Sequence, residues 1–312
     1  MNDKELFNQY CSDNKNLPYF FDYAYYQTIY GNNWDVILVE KGGVVMGIMP
    51  FIIHRNKGFK VIRPEFLLPY QGIWINYPAN QKYNTKIGFE KEVISKIIEQ
   101  LPDVALFRQQ FHPTFTNWLP YFWKGYQQNT RYTFILDTNL PINEIYANFH
   151  NNTRREIQKA EKELFTEEAT SISDLYQLKA LVYKEKNNST YPISLKTLET
   201  IYSYFSNKET GKILLAKDKE NTIHAAIFYV WDAESAYYLQ GASNTKFKTS
   251  GAISLLLWEA IKRTALLNSQ KFNFEGSMVE NVHRYFTNFG GKQVPYFEIS
   301  KTNNTVLKLL RY

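Results

Sequence analysis

Cysteine is almost missing from this chain: Cys11 is the only one in 312 residues. A single thiol excludes an intrachain disulfide and a multi-cysteine zinc site, so a reducing, cytoplasmic setting is expected. The five histidines, His54, His112, His150, His224 and His283, show neither H-x-x-x-H nor H-E-x-x-H spacing, and no metal is expected. There is no G-x-S-x-G elbow and no Walker loop, which removes the usual hydrolase and nucleotide triphosphatase readings. No apolar run approaches the length of a bilayer span; AAIFYVW, among the longest, reads as a buried strand. The opening MNDKELFNQYCSDNK lacks the basic-then-apolar order of a secretory signal. Dense Lys/Arg blocks are absent too. The 36 basic and 30 acidic residues leave a net charge of +6 that is spread along the chain, so DNA is not an expected partner.

Aromatic surface is what the chain has in quantity. Tyr 24 and Phe 22 bring the aromatic share to 17% within 44% hydrophobic residues, ample for one large or two medium cores. Residues 16–30 (NLPYFFDYAYYQTIY) predict a Pro-started helix, packed on most faces. A hairpin follows at 34–53, turning at Lys41-Gly42-Gly43. Extended stretches at 59–62 and 72–75 lead to a helix at 89–100 and a strand in VALFRQQ. The same order recurs later: GKILLAKDKENTIHAAIFYVW answers WDVILVEKGGVVMGIMPFII, ISLLLWEAIKRT answers FEKEVISKIIEQ, and KFNFEGS answers VALFRQQ. Two related α/β domains are therefore expected, 1–137 and 138–312, joined near 136–140. In the second, NNTRREIQKAEKEL predicts a helix capped by Asn152 or Thr153, with Arg155, Lys159 and Lys162 along one side.

Residues 235–297 look most organised for chemistry. An apolar strand at 236–239 runs into a small, polar, basic loop at 241–251. A helix over 252–267 follows, then a strand at 271–274 that stops at Glu275-Gly276. Strand, loop, helix, strand is a crossover unit with parallel strands, which places the loop at the helix N-terminus where free N–H groups attract anions. Lys246 and Lys248 add charge there, Thr249 and Ser250 hydroxyls, and Gly251 a backbone open to close approach, with Ala252 starting the helix. The alternative for the same residues is a capped helix start with surface lysines.

YYLQGAS, SGAISLLLWEAIK, FNFEGS and YFTNFGGKQVPYF together resemble the last part of the FemAB-like branch of the GNAT acyltransferase superfamily. The resemblance implies an α/β mixed sheet in two tandem GNAT-like acyl-CoA N-acyltransferase domains, the first degenerate because its loop, NQKYNTKIG, makes a poor phosphate cradle. It also implies acetyl-CoA or another acyl-CoA as co-substrate, its pyrophosphate on 246–252, although Ile253 stands where the family's loop has a small residue. Acyl transfer to an amine needs a base and an acid. Glu275, at a strand end where open α/β sheets place ligands, is the candidate base, and Tyr285 the candidate acid, by resemblance to a GNAT tyrosine in a Y-x-x-x-G-F context that here ends Phe289-Gly290. Tyr238, Gln240, Glu280, His283 and Arg284 are candidate substrate contacts. The implied acceptor is an amine of a small molecule, a sugar or a cell-envelope precursor. Fem-type peptidyltransferases, which draw on aminoacyl-tRNA to build peptidoglycan precursors, tend to show F-K-x-x-F-G where this chain has Phe286 in place of the lysine, so tRNA is the disfavoured partner. A GNAT-derived binding protein without catalysis is the third reading.

Overall fold

The computed structural model describes residues 2–56, 58–267, 269–276 and 278–305. Ser277, in the FNFEGS motif, lies outside them. The chain divides into two compact units, Met1–Arg131 with Pro295–Tyr312, and Tyr132–Val294. Residues 295–305, expected with the second domain, thus cluster with the first.

The first unit opens with α1 (Asp3–Asp13), α2 (Tyr23–Tyr30) and the hairpin of β1 (Trp34–Lys41) and β2 (Val44–Ile52). The single helix expected over 16–30 is broken: Asp22 accepts a hydrogen bond from the Ala24 N–H and caps α2, leaving a short 3-10 turn at Tyr19–Phe21 before it. Then come β3 (His54–Asn56), β4 (Phe59–Ile62), the two-residue β5 (Trp74–Ile75), α3 (Tyr83–Gln100), β6 (Leu106–Gln110) and α4 (Leu119–Trp123). β5 pairs with β2 beside β1, while β4 runs parallel to β6. β7 (Gln127–Asp137) leads into the second unit.

That unit contains α5 (Ile142–Ala147), α6 (Asn151–Glu163), β8 (Phe165–Ala169), α7 (Ser173–Asn187) and α8 (Leu195–Asn207). β9 (Gly211–Lys217), β10 (Ile223–Trp231), β11 (Ser235–Ser243), α9 (Ala252–Leu266), β12 (Lys271–Asn273) and α10 (Glu280–Thr287) complete it. β13 (Lys292–Thr302) returns to the first unit, where its residues from Glu298 pair antiparallel with β6. The α6 cap is His150, one position before the helix, whose Nδ1 accepts the Asn152 N–H; Thr153, expected as a cap, is buried instead.

Strands β7, β12, β11, β10, β9 and β8 lie side by side in that order, antiparallel except for β11 and β12. β10, the AAIFYVW run, is buried along nearly its whole length because helices cover it on both sides, which is why it is apolar without alternation. On one side α6 and α9 close a core in which Ile157 and Ala160 meet Leu256 and Ile261 above Leu214, Ile227 and Tyr229. On the other, Tyr202 and Phe205 of α8 pack edge-on against Phe228. Among the described residues no helix is long and apolar enough to cross a membrane.

Candidate active site

The site begins where two parallel strands part. β12 pairs with β11 only over Ser235, Ala236 and Tyr237, opposite Lys271, Phe272 and Asn273, whereas β11 continues to Ser243. Gly241, expected in the loop, is therefore strand. A bulge in β11 adds to the opening: Tyr229 pairs with Tyr238 but Phe228 with Gln240, so Leu239 is the extra residue. One inserted residue resets the alternation of side chains, and it places Tyr238 and Gly241 together: a Cβ at 241 would stand 2.1 Å from the Tyr238 hydroxyl.

A cleft of about 430 Å³ lies along this free stretch, with Tyr238, Gly241 and Ser243 on one wall, Ile253 at the start of α9 and Lys248 in the loop before it. The opposite wall is α7, through Lys179, Val182, Tyr183 and Lys186, an i, i+3, i+4, i+7 stripe that a helix presents on one face. The walls thus carry three lysines. Burial alone pushes Lys179 down to about 8. A larger cleft, about 890 Å³, lies around the far end of α9, lined by residues 138–142, Lys262, residues 265–267, Ser269 and Gln270, with Lys262 its one ionisable lining group among the described residues.

At the end of β12 the chain turns sharply. Glu275 and Gly276 both have positive φ, +59° and +56°, a region costly for any residue with a side chain. Asn273 holds the turn: its buried Oδ1 accepts the Glu275 N–H at 2.9 Å and the Thr133 hydroxyl at 2.6 Å. Gly276 has no substitute here, because a Cβ would fall 2.0 Å from the Tyr132 carbonyl oxygen. The Glu275 carboxyl is consequently held inward. Its Oε1 is shut away from solvent without a hydrogen-bond partner among the described residues, and burial drives its pKa well above the usual carboxylate range. Burial and, secondarily, the nearby Glu275 also raise Tyr238.

Tyr285, on α10, joins a hydrogen-bonded chain. Ser254 donates to Glu156 Oε2 at 2.9 Å and lies 2.8 Å from the Tyr285 hydroxyl. A serine has one proton to give, so the tyrosine is the donor in the second bond. Burial first, then Tyr238 and Glu156, raise the Tyr285 pKa above its ordinary value, which makes the hydroxyl a hydrogen-bond donor more readily than a source of a proton.

Around the loop the expected residues separate. Lys248 lines the cleft and Ser250 Oγ accepts the Ala252 N–H, whereas Lys246 and Thr249 are exposed. Gly251 has φ +74°, and a Cβ there would stand 2.6 Å from the Glu156 carbonyl oxygen, so this glycine lets α6 approach α9; that is a different reason from close approach to a phosphate. Gln240 is buried and accepts the Tyr191 hydroxyl at 2.6 Å. His283 packs edge-on against Phe134 and reaches Gln293, while Glu280 and Arg284 form an exposed ion pair. Phe286 is core, stacked on Phe274.

The α7 wall, the Asn273–Thr133 support and the Glu156–Ser254 pair were not anticipated from sequence. For α7 a signal existed, since Lys179 sits within the apolar stripe of an amphipathic pattern. Among the described residues no group of three or more His, Cys, Asp or Glu is placed to hold a metal.

Residues 147–281 match the acetyltransferase (GNAT) domain family. The crystal structure of FemX superposes with a TM-score of 0.69 at 12% identity, covering 99% of this chain and 98% of that one. The C-terminal domain of a putative lysylphosphatidylglycerol synthetase from Agrobacterium fabrum gives 0.59 at 11% identity over 99% and 95%. A tandem GNAT protein from the clavulanic acid biosynthesis pathway gives 0.51 at 8% identity over 89% and 86%. No curated protein matches the sequence. At such identities these structural likenesses are ones of fold.

Proposed function

The chain has the fold of the FemAB-like branch of the GNAT superfamily, with an acetyltransferase domain in its second unit, and from that premise we propose that it is an N-acyltransferase moving an acyl group from acyl-CoA to an amine. The observation that carries this reading is the pairing of a lysine-walled cleft, where β11 outruns β12, with a Glu275 carboxyl whose Oε1 is buried and meets no partner among the described residues. When bound, acyl-CoA supplies an activated thioester carbonyl. Lys186 and Lys248, the two exposed lysines of the cleft, would meet its phosphates, and the unpaired backbone edge of β11 its amide arm.

Glu275 acts as the base. Burial holds its pKa well above the ordinary carboxylate range, and an ammonium entering the site supplies a positive charge that favours the carboxylate form. The carboxylate then accepts the ammonium proton, and the neutral amine forms the new C–N bond as the C–S bond to CoA breaks; the second proton shed by nitrogen ends on the departing thiolate. Tyr285 keeps its own proton and serves by hydrogen bonding, oriented through Ser254 and Glu156. The first unit, in which β5 has only two residues, is assigned a structural role. An amine of a small molecule, sugar or cell-envelope precursor is the proposed acceptor class.

Aminoacyl transfer is the second reading, prompted by the lysylphosphatidylglycerol synthetase neighbour. Against it, Phe286 fills an aromatic core where Fem-type sequences tend to place a lysine. Thermal unfolding separates the two. Acetyl-CoA at a hundredfold excess over its dissociation constant should stabilise the protein by about 2.7 kcal/mol. An aminoacyl-tRNA enzyme would ignore CoA thioesters and bind tRNA with a steep salt dependence. No shift at millimolar acetyl-CoA rejects the acyl-CoA reading.

A further inference from the structure

The α7 wall of the cleft carries a nucleophile that the proposed reaction leaves idle. Lys179 faces the same space as Tyr238 and Gly241, the stretch of β11 beside which the thioester would lie. Lys186 and Lys248 share the cleft but are exposed, with their ammonium groups in water, whereas Lys179 is partly buried. No carboxylate among the described residues pairs with it. Burial brings its titration down to about 8. Near neutral pH the uncharged, nucleophilic amine is therefore about a hundredfold more abundant than for a lysine titrating near 10.4.

We propose that Lys179 is a modification site, acylated within the cleft by the protein's own thioester donor. The inference rests on the acyl-thioester reading above. The neutral Nζ attacks the thioester carbonyl carbon; a C–N bond forms as the C–S bond breaks, and the electron pair leaves on sulfur. The proton lost by nitrogen ends on that sulfur, so amine and thioester become amide and thiol with no other reactant. The product is neutral and bulkier. Acylation therefore removes one of three positive charges from the cleft and narrows it, which weakens anionic donor binding by about tenfold. Lys179 in this reading is a brake on donor use, set by exposure to donor without acceptor.

The test is intact-mass and peptide-mapping mass spectrometry of the full chain after incubation with acetyl-CoA and, separately, with S-acetyl-N-acetylcysteamine, a small thioester without phosphates. A single acetyl group on Lys179, formed at least about tenfold faster than on Lys186 or Lys248, is the expected result. Lys179→Arg should lose it with its circular dichroism unchanged, and Lys186→Arg should keep it. Equal labelling of all three lysines overturns the proposal. So does an acetyl-CoA melting shift unaccompanied by acetylation of Lys179, an outcome that leaves the acyl-CoA reading standing. Without an acetyl-CoA shift that reading falls, and the small thioester decides alone: selective labelling of Lys179 supports the reactive lysine, and no labelling overturns it.

Discussion

Burial of a carboxyl makes the folded state hold its proton more tightly, and Glu275, whose Oε1 is shut from water and meets no partner among the described residues, is such a group. A glutamate in the unfolded chain titrates near 4.3, and burial raises Glu275 above that in the fold. Its favourable contribution is complete below about pH 4 and is lost as pH rises through the folded value. Glu275→Gln should therefore melt higher than the parent in alkaline buffer, with a shallower decline of Tm with pH, while turnover falls about 10²- to 10⁴-fold. Equal Tm profiles for the two proteins would show that the carboxyl is solvated. At Gly251 the expectation concerns stability. A side chain there combines left-handed strain with the Glu156 carbonyl 2.6 Å away, so Gly251→Ala should cost about 2–5 kcal/mol in urea unfolding without any ligand. A variant as stable as the parent but unable to bind acetyl-CoA would return this glycine to the phosphate role read from sequence.

Elements differ in how far the sequence announces them. β11, α9 and β12 were legible because apolar runs of strand length bracket a helical repeat, and so was the end of the second strand just before Glu275. The Leu239 bulge was not, since an extra residue in YYLQGAS leaves no mark on composition. Neither was the partnership of Asn273 with Thr133, which are 140 positions apart and meet only once β12 has paired with β7. Gly251 must be glycine on account of the Glu156 carbonyl, a neighbour no spacing reveals. The turn between β10 and β11 offers a prediction at this scale. Asp232 Oδ1 accepts the N–H groups of Glu234 and Ser235, both at 2.9 Å, yet burial raises its pKa to about 6. The fold thus binds this proton more tightly than the unfolded chain, an advantage present below about pH 4 and lost as pH rises through about 6. Asp232→Asn keeps the acceptor and removes the charge. In urea titrations it should match the parent near pH 4 and exceed it by up to about 3 kcal/mol at pH 8; a constant difference at both pH values would refute the assignment.

For the whole molecule, the return of β13 to the first unit decides an order in time. Ile299 is fully buried in the first unit's core, and the Phe111 N–H is bonded to the Phe297 carbonyl. A ribosome that has delivered residues 1–131 has therefore made a unit still lacking a strand and a core side chain. The second unit, Tyr132–Val294, is continuous in the chain and has all its parts first. Domains commonly complete folding from the N-terminus as they are synthesised; here the later-made unit should finish earlier. On ribosomes arrested after residue 294 has emerged, limited proteolysis should spare the second unit while still cutting the first. Protection of the first unit at any earlier arrest point would contradict this. Residues 1–131 then depend on the last stretch of translation, and a message truncated after residue 294 would release a finished second unit tethered to an unfinished first one.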